Sequence, residues 1–216
     1  LENAVYNINR KNPDIKFFEL GKIYHKKKAY EERKQLAILT SGRNYAENWL
    51  LPKNATDFYS LKAYTKILLD KLNFDISEKL LEDPRFSDAL EMLVEGKTVA
   101  RLGKVNPKLL KEYDIEQEVF YAEIELETCQ DLRQENTLKF KDIPKFNKIR
   151  RDLALLVDKN VSYADLYRLA KKNKSPYLKE INLFDVYDGK NLPSGKKSYA
   201  LSFELLNEEK TLEEKE

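Results

Sequence analysis

This sequence of 216 residues holds one cysteine, one histidine, one methionine and one tryptophan. The single Cys129 excludes a disulfide framework within the chain and points to a reducing compartment. One cysteine and one histidine, Cys129 and His25, about a hundred positions apart, cannot by themselves build a zinc site, so no metal site is expected. His25, at a lysine-rich loop, reads as solvated. Cys129 reads as a packing residue, because nothing nearby supplies a general base. The six glycines are too scattered for G-x-G-x-x-G or a P-loop, which removes those phosphate cradles. No run approaches the ~18 consecutive apolar residues of a membrane span. The opening LENAVYNINRKNPDIKF has neither the apolar core nor the cleavage site of a signal peptide, and it does not begin with Met. The expectation is a soluble, cytoplasmic piece of a longer protein, with no membrane partner.

Charge is abundant. Hydrophobic residues are 42% and charged residues 35%, which allows a packed core under a heavily charged surface. The formal net charge of +2 is unevenly spread: −2 over residues 1–138, +8 over 139–198 and −4 over 199–216. A basic block of that density attracts polyanions, nucleic acid above all, although a lysine-rich surface also serves solubility alone.

The pattern along the chain is mixed. Residues 16–24 (KFFELGKIY) and 35–41 (QLAILTS) read as strands joined by the charged loop HKKKAYEER. Residues 57–72 switch to helical period, with Leu61, Tyr64, Ile67, Leu68 and Leu72 on one face and Ser60 as N-cap. Residues 89–94 and 98–105 flank a turn at Glu95-Gly96-Lys97, where glycine supplies positive φ. A helix-like PKLLKEY precedes a strand over 119–126, whose alternation puts Glu123, Glu125 and Glu127 on one face. Cys129 falls near the end of that strand. Trp49 is expected in the core or at a subunit contact, more than as a ligand platform. A polar linker follows between Glu127 and Lys141.

Beyond the linker the order is strand 150–157, helix 163–173, strand 180–187 and strand 196–206. Ser162 and Asp165 form a capping box, and Leu166, Leu169 and Ala170 the apolar stripe of the helix. A β-α-β crossover followed by a hairpin through DGKNLPSG is three-quarters of a ferredoxin-like unit. The second helix and last strand are missing, and TLEEKE, with Thr211 as N-cap, reads as the start of that helix. The fold class expected is α+β, with an antiparallel-sheet module over residues 1–135 and a ferredoxin-like β-α-β-β domain over 139–216.

No catalytic constellation is evident, since the paired carboxylates sit in charge-rich loops and tails. Binding is better supported. Strict alternation through NLFDVYD puts Leu183, Asp185 and Tyr187 on one side and Phe184 and Val186 on the other. Phe184 and Val186 suit the helix-covered face, leaving Asp185 and Tyr187 on the exposed one. A carboxylate can accept from the N1–H and N2–H of guanine while a tyrosine ring stacks on a base, with stacking contributing ~1–3 kcal/mol per base. The residues alone leave open whether this pair is an RNA site or an ordinary strand aromatic beside a turn-proximal acid.

Three segments carry a resemblance that narrows this. KFNKIRRDLALLVDKNVSY, LFDVYDGKNLPSGKKSYALSFELL and KTLEEKE, with NRKNPDIKFFELGKIY, SGRNYAENWLLPKNATDFYSLKAYTKILLDKL and GKTVARLGKVNPKLL upstream, resemble the bacterial phenylalanyl-tRNA synthetase β subunit family. The likeness covers nearly the whole chain. It implies that residues 1–135 are part of a non-catalytic class II synthetase-like module and that residues 139–216 are a truncated anticodon-binding domain. It implies tRNA(Phe) and an α subunit as partners, in an enzyme of two α and two β chains. It also implies ATP and Mg²⁺ as cofactors of the whole enzyme, with none in this piece. Carried over by motif, the anticodon contacts fall on Ala154 in RRDLA, Asp185 and Tyr187 in FDVY, and Ser198 in GKKS. Arg150, Arg151, Lys196 and Lys197 are expected to attract phosphates, on electrostatic grounds. In one departure, Phe86-Ser87-Asp88 stands where many members carry His-Pro-Gly, so that turn is expected to differ in shape. The absent helix and strand imply an uncovered sheet edge, with lower stability or self-association through it. The alternatives are a catalytically live class II-like module, and a ferredoxin-like regulatory domain binding a small amino acid.

Overall fold

The computed structural model describes residues 1–26, 30–51, 54–133, 142–172 and 175–212, with the side chain of His25 outside the described part. The chain divides into two compact units, Leu1–Asn136 and Thr137–Glu216. Each is α+β, as the sequence pattern implied.

The first unit is a six-stranded antiparallel sheet in the order β1-β2-β6-β5-β4-β3. Its elements run α1 (Glu2–Ile8), β1 (Ile15–Lys26), β2 (Tyr30–Ser41), α2 (Phe58–Asp70), β3 (Ser77–Leu80), β4 (Phe86–Val94), β5 (Lys97–Val105), α3 (Pro107–Glu112), β6 (Val119–Glu125) and α4 (Leu126–Leu132). Strands β1 and β2 pair from Ile15↔Ser41 out to Lys26↔Tyr30, so most of the expected charged loop is strand. The backbone at His25 pairs with Glu31. The α2 cap is Asp57, not Ser60: the Asp57 carboxylate accepts from the Ser60 backbone N–H at 2.7 Å. An aspartate at N-cap satisfies an orphan amide and favours the positive helix end, which a serine three residues later cannot do. At the β4–β5 turn both Glu95 (φ 51°) and Gly96 (φ 77°) are left-handed, as a tight two-residue hairpin requires.

Two apolar clusters hold this sheet. On one face Leu61 and Leu69 of α2 pack with Met92, Ala100, Leu102, Phe120, Ala122, Ile124 and Cys129. Burying each leucine there contributes roughly 1.5–3 kcal/mol. On the other face Ala4 of α1 and Leu110 of α3 pack with Ile15, Val105, Ile115 and Val119. Cys129 lies in α4 rather than at the end of a strand, because the chain turns helical at Leu126; Glu127 leaves the strand with it. The front of the expected linker is therefore helix, and residues 134–141 lie outside the described ones. Burial and the nearby Glu125 push the Cys129 thiol up to about 11, the state of a packing residue. Trp49 is 95% exposed, so it is no part of the core.

The Phe86-Ser87-Asp88 segment opens β4 instead of forming a turn, with a register shift between Phe86 and Asp88. Phe86 is buried and stacks on Tyr121, ring centroids 6.4 Å apart. It fills the space where Gly103 has no side chain; a Cβ there would come within 2.7 Å of the Phe86 ring.

The second unit is a three-stranded antiparallel sheet in the order β7-β9-β8, made of β7 (Ile149–Asp158), α5 (Tyr163–Lys172), β8 (Leu178–Tyr187) and β9 (Lys196–Leu205). The crossover β7-α5-β8 leaves room for β9 between its two strands, the ferredoxin-like arrangement. The Ser162–Asp165 box is present: the Asp165 carboxylate accepts from the Ser162 backbone N–H at 3.1 Å, and the Ser162 hydroxyl from the Asp165 N–H at 3.2 Å. The inner stripe of α5 is Tyr163, Leu166, Tyr167 and Ala170, while Leu169 is exposed. The spacing i, i+3, i+4, i+7 selects the first set, and Leu169 lies about a third of a turn off the centre of that stripe. Residues 213–216, most of the expected terminal helix, lie outside the described residues. Among the described residues, no helix is long and apolar enough to cross a membrane.

Candidate nucleic-acid interface

Directly paired residues of neighbouring strands project from the same face, so the pairing register assigns every side chain of the second sheet. On β9, Tyr199 and Leu201 are 7% and 2% exposed. The Tyr199 hydroxyl donates to the Val161 carbonyl at 3.3 Å, and Tyr163 of α5 donates to the Ile181 carbonyl at 3.5 Å. These bonds fix which face α5 covers. The opposite face carries Ser198, Ala200 and Ser202 of β9. Small residues thus line the central strand and form the floor of a shallow trough.

The walls follow from the register. Ala200 pairs with Ala154 of β7 on one side and Asp185 of β8 on the other. Ser198 pairs with Leu156 on one side and Tyr187 on the other. Ala154, Asp185, Tyr187 and Ser198, four residues from three strands, therefore occupy two adjacent rows of one open face. With strands about 4.8 Å apart, two spacings span about 10 Å, the scale of a nucleobase. Ala154, Asp185 and Tyr187 are exposed and Ser198 is half-buried in the floor.

One part of the alternation fails. Leu183 pairs with Leu201 but Asp185 with Ala200, so β8 has one extra residue at this point. The bulge sends Leu183 to the helix-covered face, where Val186 also lies opposite Tyr199. It turns Phe184 to the open face, where the Arg150 guanidinium stands 5.1 Å from its ring centroid. Strict period two had assigned both residues the other way. The Tyr187 ring leans over Gly189, where a Cβ would come within 2.2 Å of the ring, so only glycine leaves the ring in that pose.

The four basic residues expected at phosphates divide between faces. Arg150 and Lys196 share the parity of the open-face residues, whereas Arg151 pairs with Phe203 and Lys197 with Val157 on the other face. Arg150 donates through Nε to Asp152 at 2.8 Å, and this carboxylate raises its pKa. Lys196 is ion-paired with Asp158 at 2.8 Å, and the Lys197 ammonium lies 4.8 Å from the Tyr199 ring centroid. Gly189, Leu156 and Phe184 were missed from sequence. For Leu156 a signal was there, since it lies two positions from Ala154.

The first sheet also has a polar strip, on the face away from α2. Glu123, buried, receives both Nη groups of Arg85 at 3.0 Å, and Arg101 lies 3.7 Å away. Asp83 closes on Arg85 at 2.7 Å, and Glu125 accepts from Gln35 at 2.8 Å and from Arg101 at 3.3 Å. Hydrogen bonds donated by Arg85 hold the Asp83 carboxyl below its usual range, and the Asp83 and Glu123 carboxylates that accept them raise Arg85. Each arginine here is engaged by carboxylates and each of these acids by a cation. Such a strip does not fit a triphosphate with Mg²⁺, which needs uncommitted cations and acids.

The fold and site define an α+β protein whose second unit is a ferredoxin-like sheet with one face left open as a polar and aromatic platform. The family described as phenylalanyl tRNA synthetase beta chain CLM domain matches residues 1–126, and the ferredoxin-fold anticodon binding domain matches residues 144–216. This chain belongs to the phenylalanyl-tRNA synthetase β-chain family. It is 40% identical over 229 residues to a phenylalanine–tRNA ligase beta subunit of Bacteroides thetaiotaomicron, and 36% identical over 230 residues to that of Porphyromonas gingivalis. The match to that of Geobacillus kaustophilus is 32% over 225 residues. In all three the alignment takes in 100% of this chain and 28% of the relative, so the chain spans little more than a quarter of their length. Among solved structures, pyrrolysyl-tRNA synthetase from Desulfitobacterium hafniense overlays 61% of this chain and 46% of its own at a TM-score of 0.46 and 13% identity, too slight a likeness to bear on the fold.

Proposed function

We propose that this chain acts within a phenylalanine–tRNA ligase, its second unit reading the anticodon of tRNA(Phe) and its first unit serving assembly rather than chemistry. Ala154, Asp185, Tyr187 and Ser198 are the reading residues. Tyr187 stacks on an anticodon base, Asp185 accepts from a base edge such as guanine N1–H and N2–H, and Ser198 makes a second edge contact. Ala154, with Ala200 beside it, lets the base approach the sheet closely. Arg150, Arg151, Lys196 and Lys197 attract phosphates, with Arg151 and Lys197 acting through the long-range field rather than from the trough itself.

The observation that carries this reading is the shared open face: four residues from three strands meet over a floor of small side chains. A structural role for Tyr187 alone would need no such trough. In the whole enzyme the partner is an α subunit, in an assembly of two α and two β chains in the cytoplasm. ATP and Mg²⁺ act in that α subunit. The self-paired strip around Glu123 supports a non-catalytic first unit, because it has no free charge to spend on a nucleotide.

Binding of a tRNA(Phe) anticodon stem-loop, measured by fluorescence anisotropy between about 50 and 200 mM salt, tests the proposal. The expected result is steeply salt-dependent binding with a preference over unrelated stem-loops. Tyr187→Ala should remove most of that preference. Equal binding of unrelated stem-loops by both proteins would overturn it.

A further inference from the structure

The bulge in β8 gives the open face a feature that the reading above does not use. Phe184, 48% exposed, is turned onto that face and supports the Arg150 guanidinium at 5.1 Å, well within cation–π range. Asp152, two residues along β7 and on the same face, takes the Arg150 Nε–H at 2.8 Å. The guanidinium is thus held from beneath by a ring and from the side by a carboxylate. A freely solvated arginine side chain loses rotamer freedom when it is ordered against a ligand; two contacts within the chain already restrict this one.

We infer that Arg150, laid on Phe184 and pinned by Asp152, is a second stacking plane that takes another unpaired base of the RNA bound at Tyr187. This rests on the anticodon reading and deepens it. The chemistry is that of RNA recognition, where splayed bases stack on guanidinium planes as readily as on aromatic rings. Geometry makes the two planes separate. Phe184 and Tyr187 are three residues apart on β8, about 10 Å of strand. Their rings also diverge: Phe184 leans across the sheet toward Arg150, four residues before the Ala154 row, while Tyr187 leans the other way over Gly189. One base cannot be sandwiched between them. Two bases can each take one, with the Ala154–Ala200–Asp185 row between them.

A planar role for Arg150 differs measurably from a phosphate contact. Arg150→Lys keeps the charge and loses the plane, and Phe184→Leu keeps an apolar residue and loses the support. The test uses the full chain and an anticodon stem-loop in which each loop nucleotide in turn is replaced by an abasic site. With the natural protein, two loop positions should each lose about five- to tenfold in affinity when made abasic, one per plane. Arg150→Lys and Phe184→Leu should each weaken the intact loop about fivefold and then show no further loss at one of those positions, the same one for both. The slope of affinity against salt should be unchanged in Arg150→Lys. Tyr187→Ala should silence the other position. Circular dichroism melts matching the natural protein exclude misfolding, and Arg150→Lys, an exposed change, keeps the test alive should Phe184→Leu lower the melting temperature. If Arg150→Lys and Phe184→Leu bind every loop as the natural protein does while Tyr187→Ala weakens binding, the second plane is wrong and the anticodon reading stands. If Tyr187→Ala also changes nothing, and unrelated loops bind equally, both fall.

Discussion

The two sheets of this chain are built alike and finished differently. Each carries polar side chains on a sheet face. The first sheet, however, is packed by helices on both faces, α2 on one and α1 and α3 beside the polar strip on the other, whereas the second is covered on one face only. In the first sheet the polar strip is closed on itself: the Glu123 side chain is 8% exposed, and Arg85, Arg101, Asp83 and Glu125 complete a circuit around it. In the second, the acid and the aromatic residues of the open face point outward over a floor of serine and alanine. A polar group on a sheet has two stable outcomes, a partner in its own chain or water that a ligand can replace. The first sheet takes the former throughout its strip; on the second, Arg150 and Lys196 have carboxylate partners, while the exposed Asp185 and Tyr187 take the latter. The contrast extends to the cores, for the first unit has two large apolar clusters, whereas β7 has no buried residue at all.

Four experiments would break or sharpen that contrast. The largest effect is expected from Leu201→Ala, which empties the centre of the thinner core. It should cost about 3–4 kcal/mol and unfold the second unit while the first stays folded. Hydrogen exchange read separately over residues 1–133 and 142–212 checks this; equal loss of protection in both would erase the distinction. Glu123→Ala should destabilise the first unit by about 3 kcal/mol, the low end for a broken buried pair because Arg85 stays half exposed. A urea midpoint that does not move would mean the strip is a solvated surface like its counterpart.

Gly189→Ala should leave the melting temperature unchanged, yet lower anticodon-loop affinity about fivefold by displacing the Tyr187 ring. Unaltered affinity would show that the ring pose does not matter to binding. The smallest effect concerns pH. The folded pKa of Asp83 is depressed by Arg85, so its contribution is complete above the unfolded value near 3.8 and is lost as pH falls through the lower folded value. Urea midpoints of the first unit between pH 3 and 6 should fall at the acid end, less so in Asp83→Asn. An equal fall in both would remove Asp83 from the account.

Much of this was legible in the residues. Apolar spacing located α2 and α5, although α2 buries Leu61, Thr65 and Leu69 and leaves Tyr64, Ile67 and Leu68 of the expected stripe exposed. Glu95-Gly96 marked its hairpin, and the motifs RRDLA, FDVY and GKKS pointed to four positions that share one face. What escaped did so for physical reasons. Asp57 displaced Ser60 as cap because the helix starts at Phe58, and helix starts are set by tertiary packing as much as by side-chain preference. Strand β3 (SEKL) is exposed along its whole length and has no apolar alternation to betray it. Of the two places expected for Trp49, the core is excluded by its exposure, because the burial of a large aromatic depends on what surrounds it.

By itself the sequence determined most of the strands and the longer helices, the basic block, the absence of a phosphate loop, and the motif positions of Ala154, Asp185, Tyr187 and Ser198. The first three follow from local preference and residue identity, and the four positions from the family likeness of their motifs. Only the tertiary structure decided the faces. Side-chain direction in a strand depends on register with its neighbour, and a single extra residue in β8 reversed Leu183 and Phe184. The same holds for Glu123, whose charge is satisfied by Arg85, 38 residues earlier in the chain. An ion pair across that distance exists only once β4, β5 and β6 have come together.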